Sequence, residues 1–166
     1  MDSIVNSLVQ NIEQETEHCR SLNLAFVRIA CIFEMHFQKR YSSLLEVCPE
    51  LEGLQFDRNE IEKIKASLKK FVEENPSHPN VCSALGSLVL TRDPGLKEFY
   101  LSILKLNFQW KISANVFHAM LALESLGEKI FYTIEGQFIG SRGSHDMDNF
   151  LIAERYLNKL GKGKTS

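Results

Sequence analysis

The chain has 166 residues and a mass of 19.0 kDa, enough for one compact domain or two small helical bundles. Hydrophobic residues make up 44% and charged residues 24%, with nine glycines and four prolines, which excludes a low-complexity or disordered chain. A formal net charge of −2 argues against a whole-domain nucleic-acid binder, which would be clearly basic. The charge is nevertheless uneven. Residues 1–90 carry 9 basic and 13 acidic side chains, whereas residues 91–166 carry 10 and 8, so an anion-binding surface belongs in the second half.

In chain order, residues 3–20 place Ile4, Val5, Leu8, Val9 and Ile12 on one helical stripe. Residues 22–40 are apolar nearly all round, interrupted by Arg28 and Glu34. Two charges inside the segment and its HFQKR ending predict a core helix, not a membrane span. Tyr41 to Leu54 reads as a short helix and a loop. Asp57 and Glu60 then form a D-x-x-E capping box ahead of Ile61, Ile64, Leu68, Phe71 and Val72 at helical spacing. The prolines of ENPSHPN stop that helix, because the residue before a proline disfavours helical backbone.

A second apolar helix carries Val81, Leu85, Leu88 and Val89 and runs into a four-residue hinge. Asp93-Pro94-Gly95 starts the next helix, with Leu96, Phe99, Tyr100, Ile103 and Leu104. Asp93 can accept from the free amides of a first turn, and Pro94 suits the first helical position because it has no amide to lose. Residues 107–136 read as one long periodic run with Ile112, Val116, Met120, Leu123, Ile130 and Ile134 on its stripe. GSRGS at 140–144 is a turn. Ser144 or Asp146 caps a last helix bearing Met147, Phe150, Leu151, Leu157 and Leu160, stopped at Gly161. The fold class expected is all-α, a compact multi-helix domain of two sub-bundles: 1–91, and 92–166 with a frayed basic tail.

No pattern specifies a reaction. The five histidines are scattered, and no pair has metal-ligand spacing on one helix. His145, Asp146 and Asp148 precede a helix whose amide end favours negative charge, so capping accounts for them without a metal. GSRG and GKGKT lack the Gly-x4-Gly-Lys spacing of a phosphate loop. Cys19, Cys31, Cys48 and Cys82 have no CxxC spacing. With an acidic, amphipathic N-terminal stretch in place of a secretory leader, they read as reduced thiols of an intracellular protein. No catalytic, cofactor-binding or metal residue is assigned, no cofactor is expected, and the chain is expected not to be an enzyme.

Two groups of residues carry the functional expectations. Arg155, Lys159, Lys162 and Lys164 cluster at the end of the chain, with Arg155 and Lys159 on one helical face, and form a candidate membrane- or anion-binding strip. His36, beside Lys39 and Arg40, and His118, among Val116, Phe117 and Met120, are candidate pH sensors. Neighbouring cations or burial disfavour the protonated form of each.

The stretch from Leu85 to Thr91, its polar hinge, and Gly95-Leu96 leading into a helix resemble the helix–hinge–helix of orthomyxovirus matrix proteins. SLKKFVEENPSHP upstream, and Lys111-Ile112-Ser113 with Ala119, Leu121 and Ala122 downstream, are similar to flanking elements of that family. The resemblance covers residues 57–134. Influenza-type members carry an arginine-rich start to the second hinge helix and a separate basic helix. Here Lys97-Glu98 stands at that start and no strongly basic helix follows, so the chain resembles a divergent, thogotovirus-like or fish orthomyxovirus-like N-terminal domain. The resemblance implies a viral matrix structural protein that self-assembles under the envelope, bridging anionic membrane and ribonucleoprotein or RNA. Its partners would be further copies of itself and a membrane surface, with no small-molecule substrate. It would lie in the virion interior at the inner face of the envelope, with the host nucleus as a second location. The alternative is a helical viral host-interaction module, an apoptosis or signalling inhibitor that binds a partner helix in a groove.

Overall fold

A computed structural model describes residues 4–14, 19–39, 42–132, 136–139 and 146–162. The protein is all-α. Seven α-helices and no strand occur among the described residues: α1 (Ile4–Gln14), α2 (Cys19–Gln38), α3 (Arg58–Glu74), α4 (Val81–Val89), α5 (Lys97–Trp110), α6 (Ser113–Ser125) and α7 (Asp146–Lys162). The chain divides into two compact units, 1–91 and 92–166.

In the first unit α1 packs on α2 and α3, α3 on α4, and α4 on α2. Its core follows from the helical stripes. Leu8 and Ile12 of α1, Ile29, Ile32 and Phe33 of α2, and Ile61, Ile64 and Leu68 of α3 are buried to within a few per cent. Each fully buried aliphatic side chain of this kind is worth roughly 1.5–3 kcal/mol relative to exposure. Phe26 and Phe71 meet at a ring distance of 5.5 Å and tie α2 to α3. The capping box at the head of α3 is complete. The Asp57 carboxylate accepts from the Glu60 amide at 2.9 Å, and the Glu60 carboxylate accepts from the Asp57 amide at 3.0 Å. No helix among the described residues is long and apolar enough to cross a membrane.

Arg28 and Glu34 on α2 do not pair with each other. Arg28 Nε donates to Glu50 Oε1 at 2.6 Å, and Ser42 Oγ donates to Glu34 Oε2 at 2.6 Å. Both bonds fasten the segment after α2, where one short helix was expected. Two separate 3₁₀ turns form instead, Ser43–Glu46 and Pro49–Leu51. Pro49 has no amide to continue a helix across Cys48, so the chain restarts there.

In the second unit α5 packs on α6 and both pack on α7. Asp93 caps a 3₁₀ turn, Pro94–Leu96, by accepting from the Gly95 amide at 2.9 Å, and the α-helix begins only at Lys97. The long run expected over 107–136 is broken twice. Residues 107–110 close α5, and Lys111 takes a left-handed conformation (φ 58°) while the Ile112 amide reaches back to the Asn107 carbonyl at 3.0 Å. This helix-ending motif usually has glycine at that position. The second break has its glycine: Gly127 sits at φ 93° and the Glu128 amide bonds the Leu123 carbonyl at 3.2 Å. Ile130 therefore lies beyond α6 and not on its stripe. The helix α7 passes through Gly161 to Lys162 instead of stopping at Gly161. Ser144 lies outside the described residues.

The α5–α6 pair holds a buried amide contact. Asn107 and Asn115 are 0% and 1% exposed; Asn115 Nδ2 donates to Asn107 Oδ1 at 3.1 Å, and Asn107 Nδ2 donates to the Ile103 carbonyl at 3.0 Å.

Candidate functional site

The described part of the basic strip lies on α7, and what surrounds it was not visible in the spacing of the cations. After α6 the chain turns at Gly127 and continues as an irregular segment through Ile130 and Phe131. Glu124, in the last turn of α6, holds this segment by accepting from the amides of Ile130 (3.0 Å) and Phe131 (3.3 Å). Arg155 Nη2 then donates to the Ile130 carbonyl at 3.1 Å, so the guanidinium is anchored by the fold while remaining at the surface.

Glu128 is the centre of charge here. Its carboxylate forms an ion pair with Lys97 at the start of α5 and accepts from the Tyr156 hydroxyl of α7 at 2.9 Å. The hydrogen bond from Lys97 holds the Glu128 carboxyl below the usual carboxylate range. Partial burial opposes this, while Tyr156 and the charges of Lys97 and Lys159 reinforce it. In return, the hydrogen bond to Glu128 raises Lys97. Burial, followed by the same carboxylate, raises the Tyr156 phenol. Arg155 and Lys159 share a face one helical turn apart, both exposed. Lys162 closes α7, and Lys164 lies outside the described residues.

The lysines of α3 are used differently. Lys63 donates to Asn6 at 2.7 Å, Lys65 pairs with Glu62 at 3.1 Å, Lys69 with Glu73 at 3.7 Å and Lys70 with Glu13 at 3.7 Å. Two of these contacts cross from α3 to α1, and three of the four α3 lysines pair with a carboxylate within the first unit.

His118 is half-buried on α6 beside the ring of Phe117, and burial pushes its pKa below the usual histidine value. His36 is half-buried near the end of α2 with its ring edge-on to Phe37 at 4.9 Å; Lys39 follows at φ 49°, and Arg40 lies outside the described residues. The two histidines belong to different units. His145 also lies outside the described residues. Cys31, Cys48 and Cys82 are free thiols, the first two buried. No group of three or more metal-ligating side chains assembles among the described residues. A cleft of about 50 Å³ between α1 and α3, lined by Glu13, Ser67, Lys70 and Glu74, has room for a few waters and is well below the size of an ordinary small-molecule site.

Glu128, Tyr156 and an aromatic bridge, Tyr132 opposite Phe138, were not foreseen. The stretch from Phe131 to Ile139 did carry a signal: aromatic and β-branched residues around a Glu-Gly turn read as a hairpin as readily as a helical stripe. Compared with known proteins, the chain matches no family model, no curated protein and no solved structure.

Proposed function

We propose that the protein is a structural, matrix-type helical protein that self-assembles beneath a viral envelope and touches anionic membrane through its second unit. The observation that supports this best is the division of charge. Three of the four lysines of α3 pair with carboxylates within the first unit, whereas α7 presents Arg155 and Lys159 on an exposed face. The helix that ends at Val89, the Asp93 cap and the helix from Lys97 also fit the stretch on which the family resemblance rests.

The mechanism is one of many weak contacts. Each basic residue near an anionic bilayer contributes about 1 kcal/mol, so two to four of them bind usefully only when copies are linked into a layer. Repeated heterologous contacts between helical blocks build such a layer, and ribonucleoprotein is the partner proposed for its other face. Catalysis has no part in this reading. In the acidic range, charging a half-buried histidine would loosen contacts between copies.

Flotation with anionic liposomes, combined with light-scattering mass, tests the reading. The protein should float with anionic vesicles, form species larger than one chain, and lose mass between about pH 7 and pH 5. His36→Gln and His118→Gln should blunt that loss. A chain that stays monomeric and ignores vesicles would overturn the reading and favour the host-interaction module.

A further inference from the structure

Two thiols lie under the segment that follows α2. Cys31 is in α2, and Cys48 lies between the 3₁₀ turns Ser43–Glu46 and Pro49–Leu51; both are 0% exposed. The segment crosses the helix in a direction set by two bonds. Ser42 bonds Glu34, three positions after Cys31, and Glu50 bonds Arg28, three positions before it. Three positions either way is about 60° round a helix, so Cys31 points between the two anchors. Cys48 in turn lies between Ser42 and Glu50 on the segment. The chain running from one anchor to the other therefore carries Cys48 across Cys31.

The electrostatics agree with that placement. Burial pushes the Cys48 thiol up, and the charges of Glu50 and then of Cys31 push it further, so the two thiols are neighbours. Burial is also the largest influence on Cys31, raising it against a hydrogen bond with Ser42. The cover over the pair is thin. Leu45 and Leu51 face inward at 5% and 0% exposed, while Val47, next to Cys48, is 62% exposed. Two single 3₁₀ turns and two side-chain bonds hold this cover, and segments so lightly held open at the low end of the stability range.

We infer that Cys31 and Cys48 are a redox pair whose sulfurs join in a disulfide that staples the 3₁₀ segment to α2. The oxidant is a low-molecular-weight disulfide. With the segment lifted, the Cys48 thiolate attacks one sulfur of that molecule and breaks its S–S bond. The first small thiol leaves with the proton that Cys48 gave up. As the segment closes, the Cys31 thiolate attacks the Cys48 sulfur of the mixed disulfide and expels the second small thiol, which takes the Cys31 proton. The protein loses two hydrogens with their electrons, and the small disulfide becomes two thiols. In the closed state both thiols are covered and protonated, so the pair reacts only through opening.

The test incubates the parent chain with oxidised glutathione at neutral pH without denaturant, followed by non-reducing peptide mass mapping. The expected product is a chain with the Cys31 and Cys48 peptides linked within one molecule and reopened by dithiothreitol. Linked protein should show a urea midpoint higher by about 1 M or more than the reduced protein. Glu50→Ala removes one anchor and should speed linkage about threefold, with helical circular dichroism unchanged. In the urea-unfolded chain, loop closure favours the shorter Cys19–Cys31 separation, so a mixture of links forms there and the native product must differ from it. Glutathione retained on Cys31 or Cys48, a native link to Cys19 or Cys82, or a Cys31–Cys48 link that forms only in urea would overturn the pair. An unchanged midpoint would overturn the staple, and a Glu50→Ala rate equal to the parent's would overturn the lifting step.

Discussion

Tyr100 and Tyr156 are both buried phenols in the second unit, and they differ in one respect. The Tyr156 hydroxyl donates a hydrogen bond to Glu128, whereas the hydroxyl of Tyr100, a residue 1% exposed, has no hydrogen-bond partner among the described residues. Burial raises the pKa of both. Removing an unmatched buried hydroxyl removes a desolvation cost, whereas removing a matched one leaves an acceptor short. Tyr100→Phe should therefore be neutral or stabilising by up to about 1 kcal/mol, and Tyr156→Phe destabilising by about 1 kcal/mol, as read from urea midpoints at fixed slope. His118 supplies a pH dependence of definite sign. Its folded pKa is lowered by burial, so below its unfolded value the unfolded chain takes up the proton first. The stability it contributes is whole above about pH 6.5 and declines as pH falls from there toward the folded value. Urea unfolding of the parent and of His118→Gln between about pH 7.5 and pH 5.5 should show a shallower decline in the variant.

At the scale of elements, α3 shows how far local signals reach. Asp57, Glu60 and the prolines after Glu74 all act within a few residues of the helix ends, and each could be read from the sequence alone. Asp57→Ala should cost about 1 kcal/mol, because it leaves the Glu60 amide without its acceptor; thermal melts against the parent measure this. The α5–α6 break was hidden for an equally local reason. A lysine occupies the left-handed position that glycine normally announces, and apolar residues continue on both sides of it. At the second break the glycine was present, but Ile130 and Ile134 happen to fall in phase with the helix before it. The all-α class was legible because helical period recurs throughout. The surroundings of α7 were legible only in part. Arg155 and Lys159 are four residues apart and announce a shared face, whereas Lys97, Glu128 and Tyr156 are brought together from three separate elements by tertiary packing.

For the whole molecule, the division of charge leads to a comparison. Reversing Arg155, Lys159 and Lys162 to glutamate should weaken binding to anionic vesicles more than reversing Lys63, Lys69 and Lys70, which already have partners. Raising salt should weaken parent binding, since exposed charges are screened within about 8 Å at physiological ionic strength. Equal losses from the two sets, or binding indifferent to salt, would count against a localised surface. The buried amides of Asn107 and Asn115 bear on a different matter, which is how the second unit finds one arrangement. Asn107 Nδ2 is served within α5 by the Ile103 carbonyl, but the bond from Asn115 Nδ2 to Asn107 Oδ1 exists only when α5 and α6 meet in a single alignment. A slide by one residue would break that bond in an apolar interior, at roughly 1–3 kcal/mol for each group left orphaned. Leucines in their place would tolerate several alignments. The pair therefore acts as a key that admits one register and rejects its near neighbours, favouring a uniquely ordered unit over a merely collapsed one.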